Sequence, residues 1–151
     1  FTQDCFGRAI IFGSLYALTS GTAFSPQYAL TAIFKACNDG SYNFAEPLKE
    51  YGIKAEQMKK ALVENGFKIV YDKDLDVDVA DGFYFTFSYP GLTGEELLSE
   101  LAYYGISAIS LGVCRSTRTE GARACVSLVP NEMIPVFAER VKKFHEDHPI
   151  K

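Results

Sequence analysis

One arginine stands in a run of small and apolar residues in the last third of the chain. Arg123 lies between Ala122 and Ala124, and the run 122–128 is typical of a largely buried strand. A guanidinium in such a place must be paired with a carboxylate or must bind an anion. Its planar fork can donate two parallel hydrogen bonds to one carboxylate. The residue pattern therefore leaves two interpretations open, a structural ion pair and a carboxylate-binding site. Arg115 and Arg118, in the polar loop just upstream, either are solvated or add positive potential near Arg123.

Aspartates recur at short spacing after the first predicted strand, which raises the possibility of calcium binding. An EF-hand loop that began at the first of them would need glycine at its sixth position and glutamate at its twelfth. This chain has Val77 and Phe83 there. We therefore interpret the row as a solvated acidic loop or edge strand, and we expect no metal. The row consists of Asp72, Asp74, Asp76, Asp78 and Asp81.

The chain has two histidines, His145 and His148, near the end of the last predicted helix. At a spacing of three residues both rings can face one side and hold a metal, but no third ligand is spaced to join them. A helix end, whose dipole favours protonated histidine, explains the pair without a metal. A hydrolase site that uses a histidine as its base would have to use one of these two, close to a frayed chain terminus. Independent hydrolase chemistry is therefore not expected.

Composition excludes several classes of protein. The 151 residues are 48% hydrophobic and include 12 Phe and 9 Tyr, so the chain is a packed globule and not a disordered one. A net charge of -4 disfavours nucleic acid as a partner. The cysteines have no zinc-like spacing and predict a reduced, cytoplasmic setting. They are Cys5, Cys37, Cys114 and Cys125.

The early part of the chain is apolar but does not predict a membrane span. Residues 9–34 carry no formal charge, yet serines, threonines, a proline and a glutamine interrupt the middle of the stretch. The chain begins at Phe1 with no signal-peptide pattern, and we expect it to derive from a longer protein.

Apolar residues at steps of three and four predict four helices. Ser25 and Pro26 form an N-cap and a first helical position, and Thr93 with Glu96 forms a capping box. Gly52 costs about 1 kcal/mol inside a helix and is expected to weaken or divide the second one. The predicted helices cover 25–37, 48–62, 93–104 and 134–144.

Alternation with period two predicts four strands, over 67–71, 83–89, 106–111 and 122–128. The order of elements predicts an α+β fold, in which a small mixed or antiparallel sheet of three to four strands has helices packed on one face.

Four segments in this order carry a family resemblance. They are Thr19-Ser20-Gly21-Thr22 before Ser25-Pro26-Gln27, Gly82-Phe83-Tyr84-Phe85, Tyr104-Gly105-Ile106-Ser107, and the run from Glu120 to Leu128. With the order of elements, they resemble the C-terminal small domain of the fold-type I pyridoxal-phosphate enzymes, specifically the class I/II aminotransferases of the aspartate aminotransferase type.

The resemblance implies an organisation and a function. Residues 1–45 would form a leading arm and the helix that joins two domains, and residues 46–151 would form the small domain. Arg123 would bind the α-carboxylate of the amino-acid and 2-oxo-acid substrates in a cytoplasmic, homodimeric aminotransferase. The Schiff-base lysine, the partner of the pyridine nitrogen and the phosphate cradle would belong to a large domain preceding Phe1.

The family's lysine motif is absent from this chain, so we expect the chain alone to bind no pyridoxal 5'-phosphate and to be inactive. The apolar segment 6–18 would lie against the missing domain, and we expect it to be poorly ordered or covered by another chain. Two alternatives stay open. One is a free-standing α+β module that binds a small carboxylate through Arg123, and the other is the small domain of a lyase or decarboxylase of the same fold type.

Overall fold

Helices make up most of the ordered structure before residue 47. In the computed structural model, which describes residues 5–21, 23–79 and 82–150, the chain falls into two units, Phe1–Glu46 and Pro47–Lys151. The described helical segments of the first unit are α1 (Cys5–Arg8), a π-helical stretch (Ala9–Leu15), α2 (Tyr16–Thr19) and α3 (Phe24–Asn38).

Helix α3 begins two residues earlier than the predicted N-cap at Ser25 implies. Its N-cap is Ala23, and Ser25, the predicted cap, lies inside the first turn with Pro26 behind it. Proline is tolerated there because the first four N–H groups of a helix have no partner within the helix. The helix buries no residue, and Phe24, Tyr28 and other large apolar side chains are exposed.

A four-stranded antiparallel sheet, in the order β1-β4-β6-β5, forms the centre of the second unit. Its strands are β1 (Lys68–Ile69), β4 (Tyr84–Ser88), β5 (Ile109–Ser110) and β6 (Gly121–Cys125). A separate hairpin joins β2 (Lys73–Asp74) to β3 (Val77–Asp78), and the helices are α4 (Lys49–Glu64), α5 (Gly94–Tyr103) and α6 (Met133–Asp147). The predicted α+β class with a small antiparallel sheet is confirmed.

The core lies between these helices and one face of the sheet. Strand β4 contributes Phe85 and Phe87, and the paired positions of β6 are Ala124 and Ala122. Alternate residues of a strand point to the same face, so the small alanines leave room for the helices to approach. The helical members of this core include Met58, Leu62, Leu97, Leu101, Val141 and Phe144.

Three local features differ from the sequence prediction. Helix α4 is continuous through Gly52, since the helix keeps its hydrogen bonds and no atom crowds that position. The outer strands are shorter than predicted. After β1, Val70 N still donates to Thr86 O, but Tyr71 N donates to the Thr86 side chain, so the regular ladder ends there. Helix α6 begins at Met133, so Pro135 again occupies the first turn.

Candidate carboxylate site

Strand β6 places Arg123 on the sheet face that does not carry the helical core. Ala122 and Ala124, its neighbours on the strand, are 0% and 8% exposed and point toward the helices, so alternation directs Arg123 to the opposite face. Arg123 pairs with Thr86 on β4 and with Ile109 on β5. The arginine is therefore held at the middle of the sheet, where two neighbouring strands fix its backbone.

Tyr84 supports the guanidinium. Its ring lies diagonally across from Arg123, and the Arg123 Cζ atom is 4.3 Å from the ring centroid. A guanidinium over an aromatic face is attracted by the ring quadrupole and loses freedom of rotation. Stacking uses the flat face of the group and leaves its N–H donors, which lie in the plane, free to bind a ligand. The stack therefore orients the fork without neutralising it.

Among the residues that the structure describes, no carboxylate lies within ion-pair distance of Arg123. The salt bridges in those ranges join other residues, and the Tyr84 ring is the only side-chain partner that Arg123 has there. The structural ion pair, one of the two interpretations of the sequence, thus has no partner in the described chain. A half-buried cation without a counter-charge is suited to an incoming anion.

The two loop arginines differ from each other. Arg118 donates from Nε to Glu120 Oε1 over 2.6 Å and from Nη1 to Val70 O over 3.1 Å. Hydrogen bonds from the backbone N–H of Glu120 itself and from Arg118 hold the pKa of Glu120 below its ordinary value. Arg118 therefore forms a structural ion pair with Glu120. Arg115 is exposed, has a left-handed backbone with φ of 63°, and makes no ion pair in the described residues.

Cys125 lies two residues beyond Arg123, on the same face of the strand. Its Sγ is 3.1 Å from Ser127 Oγ. The hydrogen bond with Ser127, together with the positive charge of Arg123, lowers the pKa of the thiol despite partial burial. Sequence reasoning missed Tyr84 and Cys125 as neighbours of the site. Both follow from strand alternation once the register of β4 against β6 is known.

The remaining sequence candidates do not join this site. His145 Nδ1 lies 2.8 Å from the Tyr89 hydroxyl, and His148 Nε2 lies 3.4 Å from Glu100 Oε2. Each histidine therefore has its own structural partner. Asp74, Asp76 and Asp78 lie in the β2–β3 hairpin and Asp72 directly precedes it, whereas Asp81 falls outside the described residues. Within the described ranges, no group of three or more His, Cys, Asp or Glu side chains could hold a metal ion.

Four of the described lysines already have partners, whereas a Schiff base with pyridoxal phosphate needs a free amine beside a cradle for the phosphate. Lys54 is buried, but its Nζ donates to Val129 O over 3.0 Å and lies 3.1 Å from Glu50 Oε1. Lys60, Lys73 and Lys142 are exposed and pair with acidic side chains.

No family model matches the chain, and no curated protein matches it. No helix within residues 5–21, 23–79 and 82–150 has the length and apolar content needed to cross a membrane.

Proposed function

We propose that this chain is the C-terminal small domain of a pyridoxal-phosphate-dependent aminotransferase, in which Arg123 binds the α-carboxylate of the amino acid and of the 2-oxo acid. The observation that carries the proposal is the Arg123 guanidinium itself. It is stacked on Tyr84, half-buried, and without a carboxylate partner among the described residues. The motif from Glu120 to Leu128, which resembles the family's substrate-binding strand, supports the same role.

In this role the chain binds and orients the substrate. The fork of Arg123 donates two hydrogen bonds to the α-carboxylate, and the Tyr84 stack fixes the direction from which they come. Two hydrogen bonds of fixed direction hold the carboxylate and therefore the adjacent α-carbon in one position. Holding the reacting carbon in place in this way lowers the entropic cost of the reaction. The electron sink is supplied by the cofactor when it is bound. Because the family's lysine motif is absent from the chain, we assign cofactor binding to a preceding large domain of a cytoplasmic homodimer.

The proposal is tested on the complete gene product that contains this chain. We expect it to transfer an amino group between an amino acid and a 2-oxo acid. The variant Arg123→Gln should raise the KM for the amino acid about a hundredfold, since two charge-assisted hydrogen bonds are lost. The matched control is Arg115→Gln, which removes an exposed arginine from the upstream loop and should leave the KM unchanged.

Two results would overturn the assignment. One is a gene product with no lysine and cofactor-binding segment before Phe1. The other is an Arg123→Gln enzyme with unaltered KM. A product that has lost carbon dioxide or a side-chain fragment, instead of having exchanged an amino group, would replace the transaminase by a decarboxylase or lyase of the same fold type.

A second candidate function, a free-standing carboxylate-binding module, is favoured by the same unpaired guanidinium. Calorimetry separates the two with the 151-residue chain alone, using alanine and 2-oxoglutarate as ligands. The small-domain proposal expects no submillimolar binding, because in the family both domains close around the substrate. Submillimolar binding that Arg123→Gln abolishes would establish the module and refute the small domain.

A further inference from the structure

A second arginine that has no counter-charge among the described residues lines a cavity on the other side of the sheet. The cavity has a volume of about 170 Å³ and lies between the sheet, helices α4 and α6, and the segment 105–108. Its walls are mainly apolar and include Met58, Phe87, Ile106, Val129 and Phe137. Phe87 and Ala124 belong to the helical face of the sheet, and Arg123 is not among the residues that line the cavity.

Arg140, on helix α6, supplies the cavity's charge. Its Nη1 donates to Gly105 O over 2.9 Å, and this is its only side-chain hydrogen bond among the described residues. No carboxylate of those residues pairs with it, although acidic side chains are frequent on α6. The side chain is half-buried, so its unpaired charge is less solvated than that of a typical surface arginine.

Gly105 brings the arginine to this position. Its φ of +67° ends helix α5, and a Cβ built on it would lie 2.9 Å from Arg140 Nη1. The absence of a side chain therefore lets the guanidinium lie flat against the turn. One Nη atom is bound to the carbonyl, and the remaining N–H groups of the fork have no partner in the described chain.

We propose that this cavity binds a small amphipathic monocarboxylate, such as an aryl or branched-chain acid, with the carboxylate on Arg140 and the apolar group among Met58, Phe87 and Phe137. The volume supports a ligand of this size, because an apolar protein cavity of about 150 Å³ accepts benzene. The charge supports an acid over a neutral hydrocarbon, since a half-buried guanidinium without a counter-charge is suited to a carboxylate. The site is independent of the proposed aminotransferase role of Arg123.

The test titrates the 151-residue chain with phenylacetate and follows its backbone amide resonances. Saturable shifts are expected at residues 105–108 and at Val129 and Phe137, which line the cavity away from Arg123. Benzyl alcohol, which has the same ring but no charge, should bind at least about tenfold more weakly because the hydrogen bonds to the guanidinium are weaker.

Variants separate this site from Arg123. Arg140→Met keeps an unbranched apolar stem but removes the guanidinium, and it should weaken phenylacetate binding about tenfold while leaving benzyl alcohol binding unchanged. Arg140→Lys should recover part of the loss. Arg123→Gln should leave both affinities unchanged, so failure at one site is distinguishable from failure at the other.

The proposal is overturned if phenylacetate binds Arg140→Met and the unaltered chain equally, or if its shifts cluster around Arg123. It is also overturned if millimolar phenylacetate gives no saturable shift. A change of the cavity resonances with protein concentration alone would overturn it too, because that result would identify a second copy of the chain as the occupant. Circular dichroism of each variant verifies that it is folded. If Arg140→Met does not fold, Arg140→Lys decides. We then compare the ratio of phenylacetate affinity to benzyl alcohol affinity in Arg140→Lys with the same ratio in the unaltered chain. A site that uses the guanidinium requires the ratio to fall, and a site that does not use it leaves the ratio unchanged.

Discussion

Lys54 shows how a charged side chain can be buried in this domain. It is 5% exposed, and its ammonium group is bound by Val129 O, by the Glu50 carboxylate and by the face of the Tyr51 ring. Glu50 in turn accepts a hydrogen bond from Asn131. These contacts join α4 to the segment before α6. A buried ammonium group is tolerated only when it is paired and hydrogen-bonded in this way.

Replacing this residue should be costly. The variant Lys54→Met keeps an unbranched side chain but leaves Val129 O without its donor, so we expect the free energy of unfolding to fall by about 1–3 kcal/mol. The measurement is urea denaturation followed by circular dichroism. Lys60→Met is the matched control, because the Lys60 side chain is 71% exposed and 3.9 Å from Glu64, and it should change stability by less than about 0.5 kcal/mol. Equal effects of the two variants would contradict the role given to Lys54.

Residue type and spacing were sufficient to single out Arg123, but not the residues around it. The alanines on either side of Arg123 predict a charged side chain on a strand of otherwise small residues. The contact of Arg123 with Tyr84 depends on the register between β4 and β6, which the sequence does not reveal. Helical periodicity places Lys54 on the polar face of its helix and does not reveal that the distant segment at Val129 covers it. Arg140 was missed for the same reason, because its partner Gly105 is 35 residues away in sequence.

Among the elements, helix α5 is the one whose start is most closely defined by sequence and packing. The capping box is formed as predicted, with Thr93 accepting from Glu96 N and Glu96 accepting from Thr93 N. The next residue, Gly94, lies directly against strand β6 and the loop before it. A Cβ there would be in collision with Gly121 O and 3.0 Å from Thr119 O, both of them backbone atoms.

Two alanine substitutions should therefore have opposite signs. Gly94→Ala must push β6 away from α5 and should destabilise the fold by about 1–3 kcal/mol. Gly52→Ala lies within α4, has no atom within 4 Å of the new Cβ, and should stabilise it by about 1 kcal/mol. Thermal denaturation of both variants and of the unaltered chain provides the comparison. A tolerated Gly94→Ala would show that α5 does not lie this close to the sheet.

The capping box also predicts a dependence on pH. Hydrogen bonds from the Thr93 backbone N–H and hydroxyl hold the pKa of Glu96 below its ordinary value of 4.5. A carboxyl whose pKa is lowered by folding adds stability above its ordinary pKa, and that stability is lost as the pH falls through the folded value. Glu96→Gln should therefore lose less stability than the unaltered chain between neutral pH and about pH 3. Glu95→Gln, which alters a neighbouring carboxyl without a hydrogen bond to the cap, should behave like the unaltered chain.

The elements were predicted with differing success, for physical reasons. Capping residues and stop glycines act locally, so α5 follows from the sequence, as does the end of α4, which is followed by Gly66 with a φ of 81°. The outer strands were predicted too long because apolar alternation continues beyond the residues that make ladder hydrogen bonds. The hairpin of β2 and β3 was interpreted only as a loop or edge strand, since its turn depends on Leu75 adopting a φ of 54°.

Across the whole molecule, burial is concentrated in one unit. The apolar core described above lies entirely within Pro47–Lys151, whereas α3 buries no residue. Large apolar side chains such as Phe6, Leu18 and Phe24 are more than 70% exposed in the first unit. Segment 6–18 is helical, whereas one of the two expectations from the sequence is a poorly ordered arm. The other expectation, that another chain covers the segment, stays a prediction.

The core predicts that the second unit folds by itself. A chain of residues 47–151 should unfold cooperatively, with a free energy of unfolding within about 1 kcal/mol of that of residues 1–151. Denaturation followed by near-ultraviolet circular dichroism, which reports the packed aromatic side chains, measures this. The control, residues 56–151, lacks Lys54 and Ala55 and should lose cooperativity. If 47–151 does not fold, the first unit contributes to stability in a way that its exposed surface does not indicate.

The brevity of the two outer strands, β1 and β5, affects how the domain behaves in crowded solution. A sheet edge recruits other chains through its unpaired N–H and C=O groups. Here each edge strand has only two residues, and short edge strands are one way in which natural sheets avoid such pairing. Few backbone groups are left for an incoming strand. The sheet is therefore a poor template for fibril growth.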